Sequence, residues 1–118
     1  MRAAAPAVEP TAAFRSQGMA LHPSPRIVWL SDSLPGLERT LRLGREFDLV
    51  LLTAVWMHLD EVERRLAMAN LATLLAAKGL LAMSVRRGPV PPGRLMFDVP
   101  SEETVALAEN CGLRPTRA

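Results

Sequence analysis

The feature that most restricts what this chain can fold into is the run Phe47-Asp48-Leu49-Val50-Leu51-Leu52-Thr53. A nearly continuous apolar segment of this length is the pattern of a strand covered on both faces, as the strands of a parallel sheet are. The run predicts the centre of a sheet. Its neighbours predict how that sheet is connected. Arg26-Ile27-Val28-Trp29-Leu30 is β-branched and aromatic and reads as a second strand, followed by the polar loop Ser31-Asp32-Ser33. Leu80 to Val85 reads as another strand, opened by Lys78-Gly79.

Helices alternate with these strands. Thr11 to Leu21 is predicted helical with Thr11 as its cap, and His22-Pro23-Ser24-Pro25 breaks it. A short helix is expected from Pro35 to Leu43, closed by Gly44. Asp60 with Glu63 three residues on has capping-box spacing, and Val62, Leu66, Ala69 and Thr73 recur at helical spacing. Leu59, Leu71, Leu74 and Leu75 widen that face, so a helix over 60–77 is expected, with Lys78 as a cation near its C-terminus and Gly79 as its left-handed cap. Ser101, Glu102 and Glu103 open a last helix that runs to Asn110, with Gly112 as its stop and Leu113 starting a candidate final strand. Strands alternating with helices over short connections define a parallel α/β architecture in one domain, residues 1–118.

Composition removes several function classes. Arginine and lysine number 14 against 12 acidic residues, and all the basic residues but Lys78 are arginines spread along the chain, so no nucleic-acid-binding stripe is visible. Arg64-Arg65 and Arg86-Arg87, the only local concentrations, read as a solvated helix face and a strand-end loop. The lone Cys111 has no disulfide partner, and no Cys/His cluster has metal-ligand spacing. Pro6 and Glu9 interrupt the N-terminal alanines before a signal-peptide core forms. The longest apolar stretch, Leu49 to Met57, is about half of the ~20 residues a membrane-spanning helix needs. A cytoplasmic protein is expected.

Val8-Glu9-Pro10, Trp29-Leu30-Ser31-Asp32-Ser33-Leu34 and Phe47 through Leu59, with Thr53-Ala54-Val55-Trp56-Met57-His58 at its end, follow one another in an order that resembles small bacterial class I methyltransferases. The segment Leu74 to Val85, turning at Lys78-Gly79-Leu80-Leu81, continues the match. The resemblance implies a Rossmann-like, mostly parallel sheet with flanking helices. It also implies S-adenosylmethionine as cofactor, lying across the carboxyl ends of the strands. By the same resemblance Glu9 would accept hydrogen bonds from the ribose hydroxyls, a role suited to a carboxylate because two adjacent donors can share its two oxygens. Asp32, with Ser33 beside it, would meet the adenine amino group. Thr53 and Ala54 would line the methionine end, with Val55 and Trp56 near the methyl-transfer channel.

Each assignment has a plainer counterpart. Glu9 and Asp32 are of a type common at strand ends and in loops, Trp56 and Trp29 are of a type that packs in cores, and Cys111 reads as packing. His58 has an intrinsic pKa near neutrality that suits a general base, but it equally suits a structural place at a helix entrance. In-line displacement at a sulfonium methyl needs alignment and exclusion of water more than an acid or base, so the sequence names no methyl acceptor. The loop Arg86 to Val99, with Met96, Phe97 and Asp98, is placed either at the acceptor side or as a surface excursion.

One departure from the family stands out. The eight residues ahead of Glu9 contain no glycine and leave no room for the family's first strand, glycine-rich turn and first helix, so the resemblance implies a domain truncated at its N-terminus. In the family's sheet that strand lies between the second and the fourth. Its loss would leave two strand edges to be satisfied by each other, by self-association or by a complementing chain. Two readings follow: a methyltransferase, inactive unless that segment is supplied, or a non-catalytic α/β module that binds a partner.

Overall fold

The computed structural model describes residues 5–53, 55–84 and 96–116. Ala54, Val85, the Arg86-Arg87 pair and the Gly88 to Gly93 loop lie outside the described residues. The chain is mixed α/β and divides into two compact units, Met1–Gly44 and Arg45–Ala118, each described here by itself.

In the first unit, β1 (Ala5–Val8) pairs in parallel with β2 (Ile27–Leu30), Ala5 opposite Ile27 and Val8 opposite Leu30. Parallel neighbours need a crossover, and α1 (Ala12–Leu21) supplies it. Thr11 stands at the N-cap, but its side chain makes no cap bond; the Thr11 amide donates instead to Glu9 Oε2 at 2.8 Å. The helix meets the sheet at one close point. A Cβ on Gly18 would lie 2.6 Å from Cζ2 of Trp29, so the indole occupies the space a side chain would need. After β2 the chain turns into α2 (Glu38–Arg42), shorter than the Pro35 to Leu43 span expected from sequence, and Gly44 at φ +63° ends it.

The second unit holds most of the buried apolar side chains. There β3 (Phe47–Leu52) leads through a 3-10 turn at Trp56–His58 into α3 (Glu61–Leu74), and β4 (Leu75–Met83) returns parallel to β3. Asp60 and Glu63 close the reciprocal capping box at the start of α3. The last helix, α4 (Ser101–Asn110), begins where the sequence places it and packs on α3, with Gly112 at φ +87° just beyond. Among the described residues no strand forms from Leu113.

Three expectations are corrected here. The helix over 60–77 stops at Leu74, because Leu75 pairs with Phe47 and the sheet claims the chain three residues earlier; Leu80 then pairs with Leu49 across an irregularity in the ladder. Lys78 itself takes the left-handed conformation, at φ +65°, while Gly79 is there for space. A Cβ on it would lie 2.9 Å from the carbonyl oxygens of both Ala76 and Phe47.

Second, the buried face of α3 is Arg64, Ala67, Met68, Leu71 and Leu74, whereas Val62, Leu66, Ala69 and Thr73 face outward. Both sets have helical spacing. The first contains the larger volume, with Met68 and Leu71 in it, and volume decides which face enters the core. Arg64 is therefore buried, not solvated.

Third, β3 is covered on one face only. Leu52 is buried, but Leu49 and Leu51 are 58% and 68% exposed, and among the described residues β3 pairs with β4 alone.

Candidate functional site

The described residues that shape a cleft lie at the carboxyl ends of β1 and β2. Pro10, the loop Ser31-Asp32-Ser33, Gly36, Leu37 and the α2 residues Glu38, Arg39 and Arg42 line an open cleft of about 500 Å³. Parallel strands put their loops at this end, which is where open α/β sheets bind ligands.

Asp32 organises the cleft. The amide of Ser33 donates to its Oδ1 at 3.0 Å, and Oδ2 accepts from both the amide and the hydroxyl of Thr40, at 2.8 and 2.7 Å. Thr40 is the third residue of α2, and the N-cap residue, Leu37, has no polar side chain to satisfy the helix's free amides. Asp32 caps the helix from eight residues away. Partial burial pushes its carboxyl up, but the bonds from the Thr40 hydroxyl and amide, then from the Ser33 and Arg39 amides, outweigh that and lower its pKa below the ordinary 3.8. The group is thus ionised at neutral pH. A carboxylate offers about four acceptor directions, and the two Thr40 donors with the Ser33 and Arg39 amides engage most of them.

Leu37 adds a second constraint. It is buried yet sits at φ +50°, a left-handed conformation that costs a non-glycine residue about 1–2 kcal/mol. Its amide donates to the Ser33 carbonyl at 2.9 Å and its carbonyl accepts from Leu41, so the loop is held from both sides. Strain of this kind persists where surrounding bonds over-determine the backbone.

Glu9 leaves β1 with its amide bonded to the Leu30 carbonyl at 2.9 Å. One oxygen of its side chain is taken by the Thr11 amide, and its carbonyl accepts from Arg15 Nη1 at 2.8 Å. Glu9 is not among the cleft-lining residues; Pro10 beside it is. Glu9, Asp32 and Ser33 therefore share one end of one sheet, with Asp32 and Ser33 on the cleft.

The other predicted site residues belong to the second unit. Thr53 is exposed at the carboxyl end of β3, and Val55 is exposed two residues on. Ala54 lies outside the described residues. Trp56 is completely buried, and its Nε1 donates to Thr104 Oγ1 at 3.1 Å, which makes it a core residue of this unit. His58 is exposed on the 3-10 turn. No group of three or more His, Cys, Asp or Glu among the described residues could hold a metal ion. None of the described helices is long and apolar enough to cross a membrane.

Sequence reasoning missed the cleft's α2 wall and the link from Asp32 to Thr40, because a cap supplied across eight residues leaves no local spacing signal. It also missed Arg64. The signal for that residue was present: 64, 67, 68, 71 and 74 fall on one helical face with Met68 and Leu71. No family model matches the chain, nor does any curated protein or solved structure.

Proposed function

We propose that the chain carries part of the S-adenosylmethionine site of a class I, Rossmann-like methyltransferase, with the cofactor's adenosine end at the cleft beside Asp32. The observation that carries this reading is the ionised carboxylate of Asp32, held on a cleft at the carboxyl ends of two parallel strands. An exocyclic amino group is the complementary donor. The parallel pairs β1–β2 and β3–β4 support it further, since these are neighbouring strands in the family's sheet order. In this reading Glu9 meets the ribose through its second oxygen, and the resemblance assigns Thr53, Ala54 and Val55 to the methionine side. Trp56 serves as packing in the core of the second unit, and methyl transfer proceeds by alignment to an acceptor that the chain does not name.

A second reading has one observation in its favour. Leu49, Leu51 and Leu80, which is 45% exposed, form an apolar face on paired strands, and parallel sheets are ordinarily covered on both faces. That face suits a module completed by another strand-helix element, from a complementing chain or by self-association.

The test is a titration of S-adenosylmethionine onto the ¹⁵N-labelled 118-residue chain. The methionine-side glycine turn is not among these residues, so millimolar affinity is expected, with shifts confined to amides such as Ser33, Arg39 and Thr40. Asp32→Ala should abolish them. No shift at these amides at millimolar ligand, or equal shifts in the variant, would sink the assignment.

A further inference from the structure

We infer that Arg64 is a positioning residue for the segment that leaves the carboxyl end of β3, fixing the backbone of residues 55–59 beside the Thr53 and Val55 wall. The part of this that concerns a ligand rests on the methyltransferase reading; the part that concerns the backbone does not.

Arg64 is only 6% exposed, the first residue of the buried face of α3. Its Nη1 donates to the Leu59 carbonyl, its Nη2 pairs with Glu103 Oε1 of α4 at 3.0 Å, and its guanidinium lies 6.0 Å from the Phe97 ring centroid. One side chain on α3 thus reaches three other parts of the chain. Two further bonds bind the same segment to the same neighbours. The Phe97 amide donates to the Met57 carbonyl at 2.8 Å, and the Trp56 indole donates to Thr104, the residue after Glu103. Five residues with a single 3-10 turn are held by three cross-links that secondary structure does not provide.

Stability alone does not account for the arrangement. Burying an ion pair costs desolvation that the attraction seldom exceeds, and replacement by apolar side chains of similar volume is often neutral or stabilising. Here the balance is poorer still, because Arg64 Nε is buried with no hydrogen-bond partner among the described residues. What an apolar replacement cannot reproduce is direction. The planar guanidinium donates to Leu59 and Glu103 along fixed vectors, so it specifies where the 55–59 backbone sits, whereas methionine would only fill the space. A strand-end wall held this way is preorganised, and preorganisation is what a ligand site gains from rigid support.

The experiment uses the double variant Arg64→Met/Glu103→Met in the full chain, since the single variant would leave Glu103 without its partner. Three quantities are read: the urea midpoint, the hydrogen exchange of the His58 and Leu59 amides, which bond to the Val55 and Trp56 carbonyls, and the S-adenosylmethionine titration. Expected are a midpoint equal to or above wild type and exchange at His58 and Leu59 faster by about tenfold or more. Ligand shifts at Ser33 and Thr40 should persist in the variant. Unchanged exchange at the two amides overturns the inference, as does a fall in midpoint that accelerates exchange equally throughout α3 and α4, which is a purely structural role. If wild type takes no ligand, the function proposal fails while the exchange result still decides the role of Arg64.

Discussion

Gly79→Ala tests whether the close approach of β3 and β4 is as tight as it appears. The added Cβ would sit 2.9 Å from the Phe47 carbonyl oxygen, 2.9 Å from the Ala76 carbonyl oxygen and 3.2 Å from the Ala76 nitrogen. Carbon-to-oxygen contacts relax near 3.4 Å and beyond, so about half an ångström must be found on two sides at once. All three opposing atoms are backbone, and no rotamer change relieves them. Overpacking of this kind typically costs about 1–3 kcal/mol, and with two carbonyls opposed the upper half of that range is expected. In a domain of this size each kcal/mol lowers the melting temperature by about 4–8 °C, so a drop of roughly 8–24 °C should follow. The assay is thermal and urea unfolding followed by emission from Trp56, which is buried in the same unit. Gly79→Val should cost more than alanine. Gly44→Ala gives the contrasting case: its φ of +63° is unfavourable for alanine, but no atom lies within 4 Å of the added Cβ, so it should cost only about 1–2 kcal/mol. Coincident midpoints for wild type and Gly79→Ala, or a valine no worse than alanine, would refute the steric argument.

Two further outcomes follow from hydrogen bonds at helix starts. Asp32 has a folded pKa below its ordinary value, so the stability it contributes is complete above the unfolded pKa near 3.8 and is lost as pH falls through the lower folded value. Thr40→Val removes one donor to Oδ2, so the Asp32 titration followed by carboxyl ¹³C NMR should move upward toward the ordinary value; an unmoved titration contradicts the capping role. Asp60→Ala breaks the capping box of α3 and should lower stability by about 0.5–2 kcal/mol in a denaturant melt, with Asp60→Asn retaining most of it.

What the sequence made legible was whatever depends on local chemistry. The Asp60 and Glu63 spacing located the start of α3, Gly44 and Gly112 located helix ends, and the β-branched run at Ile27 and Val28 located β2. What it hid depends on partners distant in the chain. The end of α3 moved from Ala77 to Leu74 because β3 pairs with Leu75, a choice that no residue near Ala77 records. The phase of α3 was ambiguous because Val62 and Leu66 keep a helical spacing just as Met68 and Leu71 do, and only the core resolves it. Asp32 was legible as a loop carboxylate of interest, yet its cleft is partly walled by Arg39, Arg42 and Leu37, which carry no motif.

The apolar run that most restricts the fold remains in tension with its surroundings. From Leu49 to Leu52 every residue is apolar, a pattern that fits burial on both faces, while α3 packs against one face and Leu49 and Leu51 stay exposed on the other. Full burial of a leucine side chain is worth about 1.5–3 kcal/mol. Covering Leu49, Leu51 and Leu80 from exposures of 58%, 68% and 45% would therefore recover on the order of 3–5 kcal/mol by the same scale. That is a large fraction of the roughly 5–15 kcal/mol by which a whole domain is stable. Any element that seats on this face thus acts on the fold and on the adjoining strand end together, because Leu51 and Leu52 lead directly into Thr53. Completion of the sheet and ordering of the proposed cofactor wall are, on this argument, one event.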